Sequence, residues 1–258
     1  MHFTKMEGLG NDYLYVYGEP ENAAALSRRL SDRHFGAGSD GMIWIGKSDK
    51  ADFSMRIFNA DGSEAKMCGN GIRCVGKYVY DKGYTKKTDI TIETLSGIKS
   101  LHLFAEGGTV TSVTVDMGKV TVFPETVLSV DGKEIHGYRV DVGNPHFVTF
   151  DEGLSPETVG AKIEKHEMFD GGINAEFVRA EDKTHLRMRV WERGSGITMA
   201  CGTGACASVA AAVYCGLCPE NETVFVRLDG GVLSVKIKDG RAYMTGPAVT
   251  VYEGEVKI

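Results

Sequence analysis

The sequence predicts an α+β protein of two pseudo-symmetric domains made by internal duplication, each a mostly antiparallel β-sheet or barrel around a central helix. Three observations carry this. First, Cys68-Gly69-Asn70-Gly71 recurs as Cys201-Gly202-Thr203-Gly204. The same ungapped 133-residue offset lays Arg56-Ile57-Phe58 on Arg189-Val190-Trp191, Gly10-Asn11 on Gly143-Asn144, and Trp44-Ile45 on Phe177-Val178. One short glycine motif can recur by chance, whereas four segments in one register mark a duplication. Second, apolar-alternating runs separated by Gly, Asp and Asn, such as Val110 to Val115 and Val232 to Ile237, have the texture of antiparallel strands. Third, Gly71 to Tyr80 and Gly204 to Tyr214 are too poor in turn residues for hairpins, and the second is apolar all round, the mark of a buried helix.

The elements follow in order. Residues 1–119 form the first half and 120–248 the second, with a last strand, Val249 to Val256, expected to return to the first. Asn22 to Arg33 and Pro156 to Lys162 read as shorter surface helices, from their Ala/Leu periodicity and from Asn22 and Ser155 at their starts. Thr91 to Thr94 is a strand. The CGxG tetrapeptides open the central helices, and Gly216 and Pro219 stop the second one. Met117-Gly118-Lys119 and Thr245-Gly246-Pro247 occupy equivalent crossover points late in each half.

Composition narrows the class of function. With 258 residues, 42% of them hydrophobic, the chain can bury a substantial core. A net charge of −6 and no run of five like charges argue against nucleic acid and anionic membranes as partners. Met1 to Met6 lacks the character of a signal peptide, and no apolar stretch reaches the roughly 18 residues of a membrane span, so the cytoplasm is expected. Six Cys are too few for a disulfide scaffold, and in a reducing compartment such thiols are catalytic, metal-binding or buried.

Cys68 and Cys201 stand out because each precedes glycines at a helix N-terminus in the repeat. There the macrodipole and unpaired amides favour a thiolate, and a thiol can fall from about 8.5 toward ~3.5–7.5. Glycines at 69, 71, 202 and 204 leave the backbone bare enough to hold a carboxylate. Two such elements from a duplication suggest halves that face each other, one thiol on each side of a ligand in an interdomain cleft. Two opposed acid/base groups suit inversion of a stereocentre, one removing a proton and the other returning one. The nearest candidates for handling the thiol protons are Glu192 and His146. Cys74 and Cys206 read as core residues. The Cys215/Cys218 CxxC lacks the further ligands zinc needs and marks a helix stop. His34, His102, His136, His166 and His185 have no partner pattern, and the repeated Arg56 and Arg189 read as strand ion pairs or as substrate contacts.

At these residues the sequence resembles the diaminopimelate epimerases, from Met6 to the C-terminus. The matching stretches are Gly8 to Asp12, Phe58 to Glu64, Met67 to Cys74, Gly143 to His146, Asn174 to Phe177, Trp191 to Gly194 and Ala200 to Ala207. The resemblance implies that Cys68 and Cys201 are the acid/base pair, tuned by His146 and Glu192. It implies that Gly69-Asn70 and Gly202-Thr203 hold the reacting carboxylate, and that Asn11, Asn59, Asn144, Asn174, Glu192 and Arg193 grip the rest of the ligand. It further implies a homodimer using no pyridoxal phosphate, metal or nucleotide, and the interconversion of L,L- and meso-diaminopimelate for lysine and peptidoglycan synthesis. Cys201 would serve as base toward the L centre and Cys68 as acid. One departure is Gly41, where many members carry Gln. Related histidine racemases share much of the pattern and are the second reading. A thiol redox or metal switch is the reading from another class. Proline racemase-like enzymes differ where this chain has Met199-Ala200, and phenazine-biosynthesis isomerases lack the cysteine pair.

Overall fold

The computed structural model describes residues 1–19 and 21–257. The chain divides into two compact units, Met1–Val115 with Gly246–Ile258, and Asp116–Thr245. The first half of the chain runs β1 (His2–Gly8), β2 (Asn11–Tyr17), α1 (Ala23–Ser31), β3 (Gly41–Gly46), β4 (Phe53–Asn59), β5 (Glu64–Ala65), α2 (Gly69–Asp81), β6 (Asp89–Thr94), β7 (Gly97–Glu106) and β8 (Thr109–Lys119). The second half runs β9 (Thr121–Val130), β10 (Lys133–Asp141), β11 (Pro145–Thr149), a π-helical turn (Pro156–Gly160), α3 (Ala161–Glu164), β12 (Asn174–Ala180), β13 (His185–Glu192), β14 (Gly196–Ile197), α4 (Gly202–Tyr214), β15 (Thr223–Leu228), β16 (Gly231–Lys238), β17 (Arg241–Pro247) and β18 (Val249–Glu255). The fold is α+β in two domains.

In the first unit β1 lies between β2 and β18, antiparallel to both. β2 pairs parallel with β3, placing Tyr13 beside Gly41, and β3 pairs antiparallel with β4, placing Gly41 beside Asn59. The second unit repeats the plan. β11 pairs parallel with β12, His146 beside Asn174, and β12 pairs antiparallel with β13. Met42 opposite Phe58 and Ala175 opposite Trp191 are the same pair displaced by the repeat offset. The parallel pairs are a feature that strand alternation alone does not reveal.

α2 and α4 span corresponding residues, and both are buried almost throughout. α4 is rich in Ala, so its backbone comes close to strands whose inward residues are large, such as Leu233, Val235 and Ile237 of β16. Each such side chain removed from water contributes about 1.5–3 kcal/mol. α2 comes close to β7 through Gly76, where a Cβ would lie 2.8 Å from Leu103 Cδ2. α2 also buries cations. Arg73 donates to Gly69 O at 3.1 Å and to Pro247 O at 3.1 Å, and Lys77 pairs with Asp81 at 2.7 Å.

The two shorter helices come out differently. α1 follows Asn22 and buries Ala23, Ser27 and Leu30. The stretch from Pro156 is a π-helical turn before a short α-helix, opened by a reciprocal Ser155/Thr158 cap. Gly160 packs there against Trp191, where a Cβ would be 2.7 Å from Trp191 Cβ and 2.8 Å from the ring atom Cγ, so the turn has no room for a side chain at this position. No helix among the described residues is long and apolar enough to cross a membrane.

Candidate active site

Each repeated cysteine is the N-cap of its buried helix. Cys68 Sγ accepts from Gly71 N–H at 3.3 Å, and Cys201 Sγ accepts from Gly204 N–H at 3.3 Å. Both cysteines have extended backbone, as an N-cap requires. The sulfur takes the place of the usual cap oxygen, so each thiol faces first-turn amides that have no acceptor inside the helix. Glycine at the third helical position lets neighbouring groups close in on each cap. A Cβ on Gly71 would be 2.6 Å from Ile43 Cδ1, and one on Gly204 would be 2.8 Å from Glu176 Oε1.

Around the first thiol, Asn11 Oδ1 accepts from Cys68 Sγ at 3.3 Å, and Asn11 Nδ2 donates to Asp40 at 2.8 Å. Asp40 also takes Arg33, which together with Lys5 binds the buried Asp12. Asn70 is buried, with its side-chain oxygen held by Arg73 at 3.1 Å. Asn59 ends β4 and donates to Ser63 Oγ at 3.0 Å, tying down the turn that follows.

Around the second thiol the groups are more acidic. His146 Nδ1 meets Glu176 Oε1 at 2.7 Å, both side chains fully buried, and His146 Nε2 meets Asn144 Oδ1 at 3.1 Å. Asn144 Nδ2 donates to Thr203 Oγ1 at 3.4 Å, and that hydroxyl lies 3.5 Å from Cys201 Sγ. Thr198 donates to Glu192 Oε1. Asn174 Oδ1 accepts from the Arg193 backbone N–H at 3.0 Å, while the exposed Arg193 guanidinium touches Gly171 O at 3.2 Å. Among the described residues, no three His, Cys, Asp or Glu side chains are placed to hold a metal ion.

The electrostatics of Cys201 differ from the sequence expectation of a lowered thiol. Burial pushes it well above its ordinary value, and Glu192 and then Glu176 push it further. The Thr203 hydroxyl and the Gly204 amide act the other way and are outweighed. Glu192 is also raised, first by burial, against hydrogen bonds from Thr198 and Cys201. At rest Cys201 is therefore a thiol whose proton is directed toward a carboxylate that binds protons more readily than usual.

Asn11 contacts Cys68 directly, and Asn144, Thr203 and Glu192 gather near Cys201, whereas Asn59, Asn174 and Arg193 make contacts of their own with Ser63, Pro145 and Gly171. His146 reaches toward Cys201 through Asn144 and Thr203. Glu176 was not singled out from sequence, although a carboxylate between Ala175 and Phe177 in an apolar run signals a buried charge. Its Oε2 has no hydrogen-bond partner among the described residues. Arg56 binds Glu64 through two nitrogens at 2.7 and 3.0 Å, and Arg189 binds Glu157 at 2.6 Å and Asp229 at 3.2 Å, so both act as ion pairs.

The sequence profile described as diaminopimelate epimerase matches residues 3–123 and 138–251. The diaminopimelate epimerase of Acetivibrio thermocellus is 49% identical over 279 aligned positions, covering 100% of this chain and 99% of its own. That of Bacteroides thetaiotaomicron is 52% identical over 264 positions, covering 99% and 97%. A hydroxyproline epimerase from Agrobacterium vitis, solved with trans-4-hydroxy-L-proline bound, has the same fold: its TM-score is 0.72 at 16% identity, over 98% of this chain and 91% of its own.

Proposed function

The chain belongs to the diaminopimelate epimerase family, and on that premise we propose that it interconverts L,L- and meso-diaminopimelate without a cofactor, using Cys68 and Cys201 as the acid/base pair. The observation that carries this reading is the repeated N-cap cysteine, each sulfur 3.3 Å from the amide of a buried helix. Inversion needs one group to take the α-proton and a second to deliver a proton to the opposite face. Two thiols, each able to exist as thiolate or thiol, fill both roles in either direction.

The α-hydrogen is a very weak acid, so the charge that develops on the adjacent carboxylate must be stabilised. The amides of Gly69-Asn70 and Gly202-Thr203 are the groups for this, because their dipoles are fixed before the reaction begins. From the L centre, Cys201 gives its thiol proton to Glu192, and the resulting thiolate takes the α-proton while Cys68 supplies a proton to the other face. The next turnover begins once Glu192 has released the proton it took and Cys68 has regained one, after which Cys201 can again pass its own to Glu192.

Only one of two chemically alike centres reacts, so the distal end must be read by fixed polar groups. Arg193 suits the distal carboxylate, since a guanidinium can bind it through two nitrogens, and Asn174 orients the Arg193 backbone. Asn11, Asn59, Asn144 and Glu192 complete the grip. Family membership also supports a cytoplasmic homodimer feeding lysine and peptidoglycan precursor synthesis. The test is incubation of reduced protein with L,L-diaminopimelate, no cofactor added, followed by chiral chromatography. Approach to a mixture of L,L and meso forms is expected. An unchanged L,L form alongside turnover of histidine would move the substrate.

A further inference from the structure

We propose that Tyr13 is a positioning residue for Cys68: its phenol hydroxyl steadies the thiolate form of that sulfur, and its ring forms one wall of the close-packed space at Gly41. Tyr13 stands two residues after Asn11 on β2, so both side chains share one face of the strand. Asn11 on that face already accepts from Cys68 Sγ at 3.3 Å. The 133-residue repeat sets Asn11 against Asn144 and Tyr13 against His146, and in the second unit His146 contacts Asn144 at 3.1 Å. The duplication thus keeps an asparagine with a ring two residues on in each unit, with Asn11 touching Cys68 directly and Asn144 linked to Cys201 through Thr203. It has exchanged an imidazole for a phenol on the Cys68 side.

Gly41 is the strand neighbour of Tyr13. A Cβ there would lie 3.0 Å from Tyr13 Cε1, 2.2 Å from Phe58 O and 2.9 Å from Asn59 Cα. Backbone on one side and the phenol ring on the other leave no room for a side chain. Tyr13 is 6% exposed. Burial raises its phenol well above the ordinary value and the charge of Cys68 adds to that, while Asn11 opposes it and Asp40 reinforces it. A phenol that keeps its proton can donate to a neighbouring thiolate. Asp40, Tyr15, Arg73 and Cys74 are further groups that interact with Cys68 or Tyr13.

Only the effect on turnover rests on the epimerase reading. The test is the pH dependence of iodoacetamide alkylation at Cys68 and Cys201, followed by peptide mass spectrometry in the parent and in Tyr13→Phe. Loss of a hydrogen bond to a charged group is expected to move the Cys68 midpoint up by about one unit, a tenfold loss of thiolate below it. The Cys201 midpoint is expected to stay in place. An unmoved Cys68 midpoint in a folded Tyr13→Phe protein, or equal movement of both midpoints, overturns the proposal. Absence of epimerase turnover in the parent would refute the epimerase reading and leave this readout intact.

Discussion

Replacing Gly204 by Ala tests how closely the second thiol is built against its carboxylate. In a helix interior the substitution alone stabilises by about 1 kcal/mol. Here the new Cβ would stand 2.8 Å from Glu176 Oε1 and 3.3 Å from Cys201 Sγ. Restoring ordinary contact requires a retreat of about 0.6 Å from a carboxylate that is fully buried and held by His146 at 2.7 Å. Weakening a buried hydrogen bond costs about 0.5–1.5 kcal/mol, and overpacking a tight core about 1–3 kcal/mol. Less the gain of about 1 kcal/mol, the net expectation is a loss of about 0.5–3.5 kcal/mol, or roughly 1–14 °C in thermal unfolding. Misplacing Cys201 or Glu176 by a fraction of an ångström is expected to lower kcat about tenfold or more. The matched control is Gly71→Ala, whose Cβ would meet Ile43 Cδ1 at 2.6 Å, a methyl at the end of a side chain. A rotamer adjustment there costs about 0.5–1.5 kcal/mol, close to what helix propensity returns, so its stability should stay within about 0.5 kcal/mol of the parent. If Gly204→Ala were as stable and active as the parent, or less damaging than Gly71→Ala, the account of the Glu176–Gly204 contact would be wrong.

Two other outcomes follow from the charges. Glu192→Gln keeps an acceptor for Thr198 and removes a negative charge beside Cys201, so the pH midpoint for alkylating Cys201 should fall by about one unit, with turnover falling as well; a midpoint that rises would reverse the assigned sign. Asp12 is held below its ordinary value despite burial, by hydrogen bonds from Arg33 and then Lys5. Its contribution is therefore present above the unfolded carboxylate value and lost as pH falls through the lowered folded one. Asp12→Asn should cost about 2 kcal/mol at neutral pH in chemical unfolding, and its deficit should shrink below about pH 4; a deficit independent of pH would show that the ion pairs are not its source.

The duplication was legible because the offset survives in backbone-critical residues. It aligns the two N-cap cysteines, both central helices and the Met42/Phe58 and Ala175/Trp191 strand pairs. What was not legible arises from contacts distant in sequence. Alternation suggests strands in general and cannot say that β2 and β3 run parallel. Ala/Leu periodicity around Pro156 cannot foresee Gly160 packed on Trp191. A helix N-terminus argues for a lowered thiol, whereas the direction at Cys201 is set by burial and by Glu176 and Glu192, which come from other strands. Arg56 and Arg189 could have faced a ligand or an acid; Glu64, Glu157 and Asp229 decide it.

The most direct test of the two-thiol account is turnover of L,L-diaminopimelate in D₂O by the parent, Cys68→Ala and Cys201→Ala, read by chiral chromatography and mass spectrometry. The account predicts meso product carrying one α-deuterium from the parent and no net epimerisation from either variant. Epimerisation that survives removal of either sulfur, or product formed without deuterium, would contradict it.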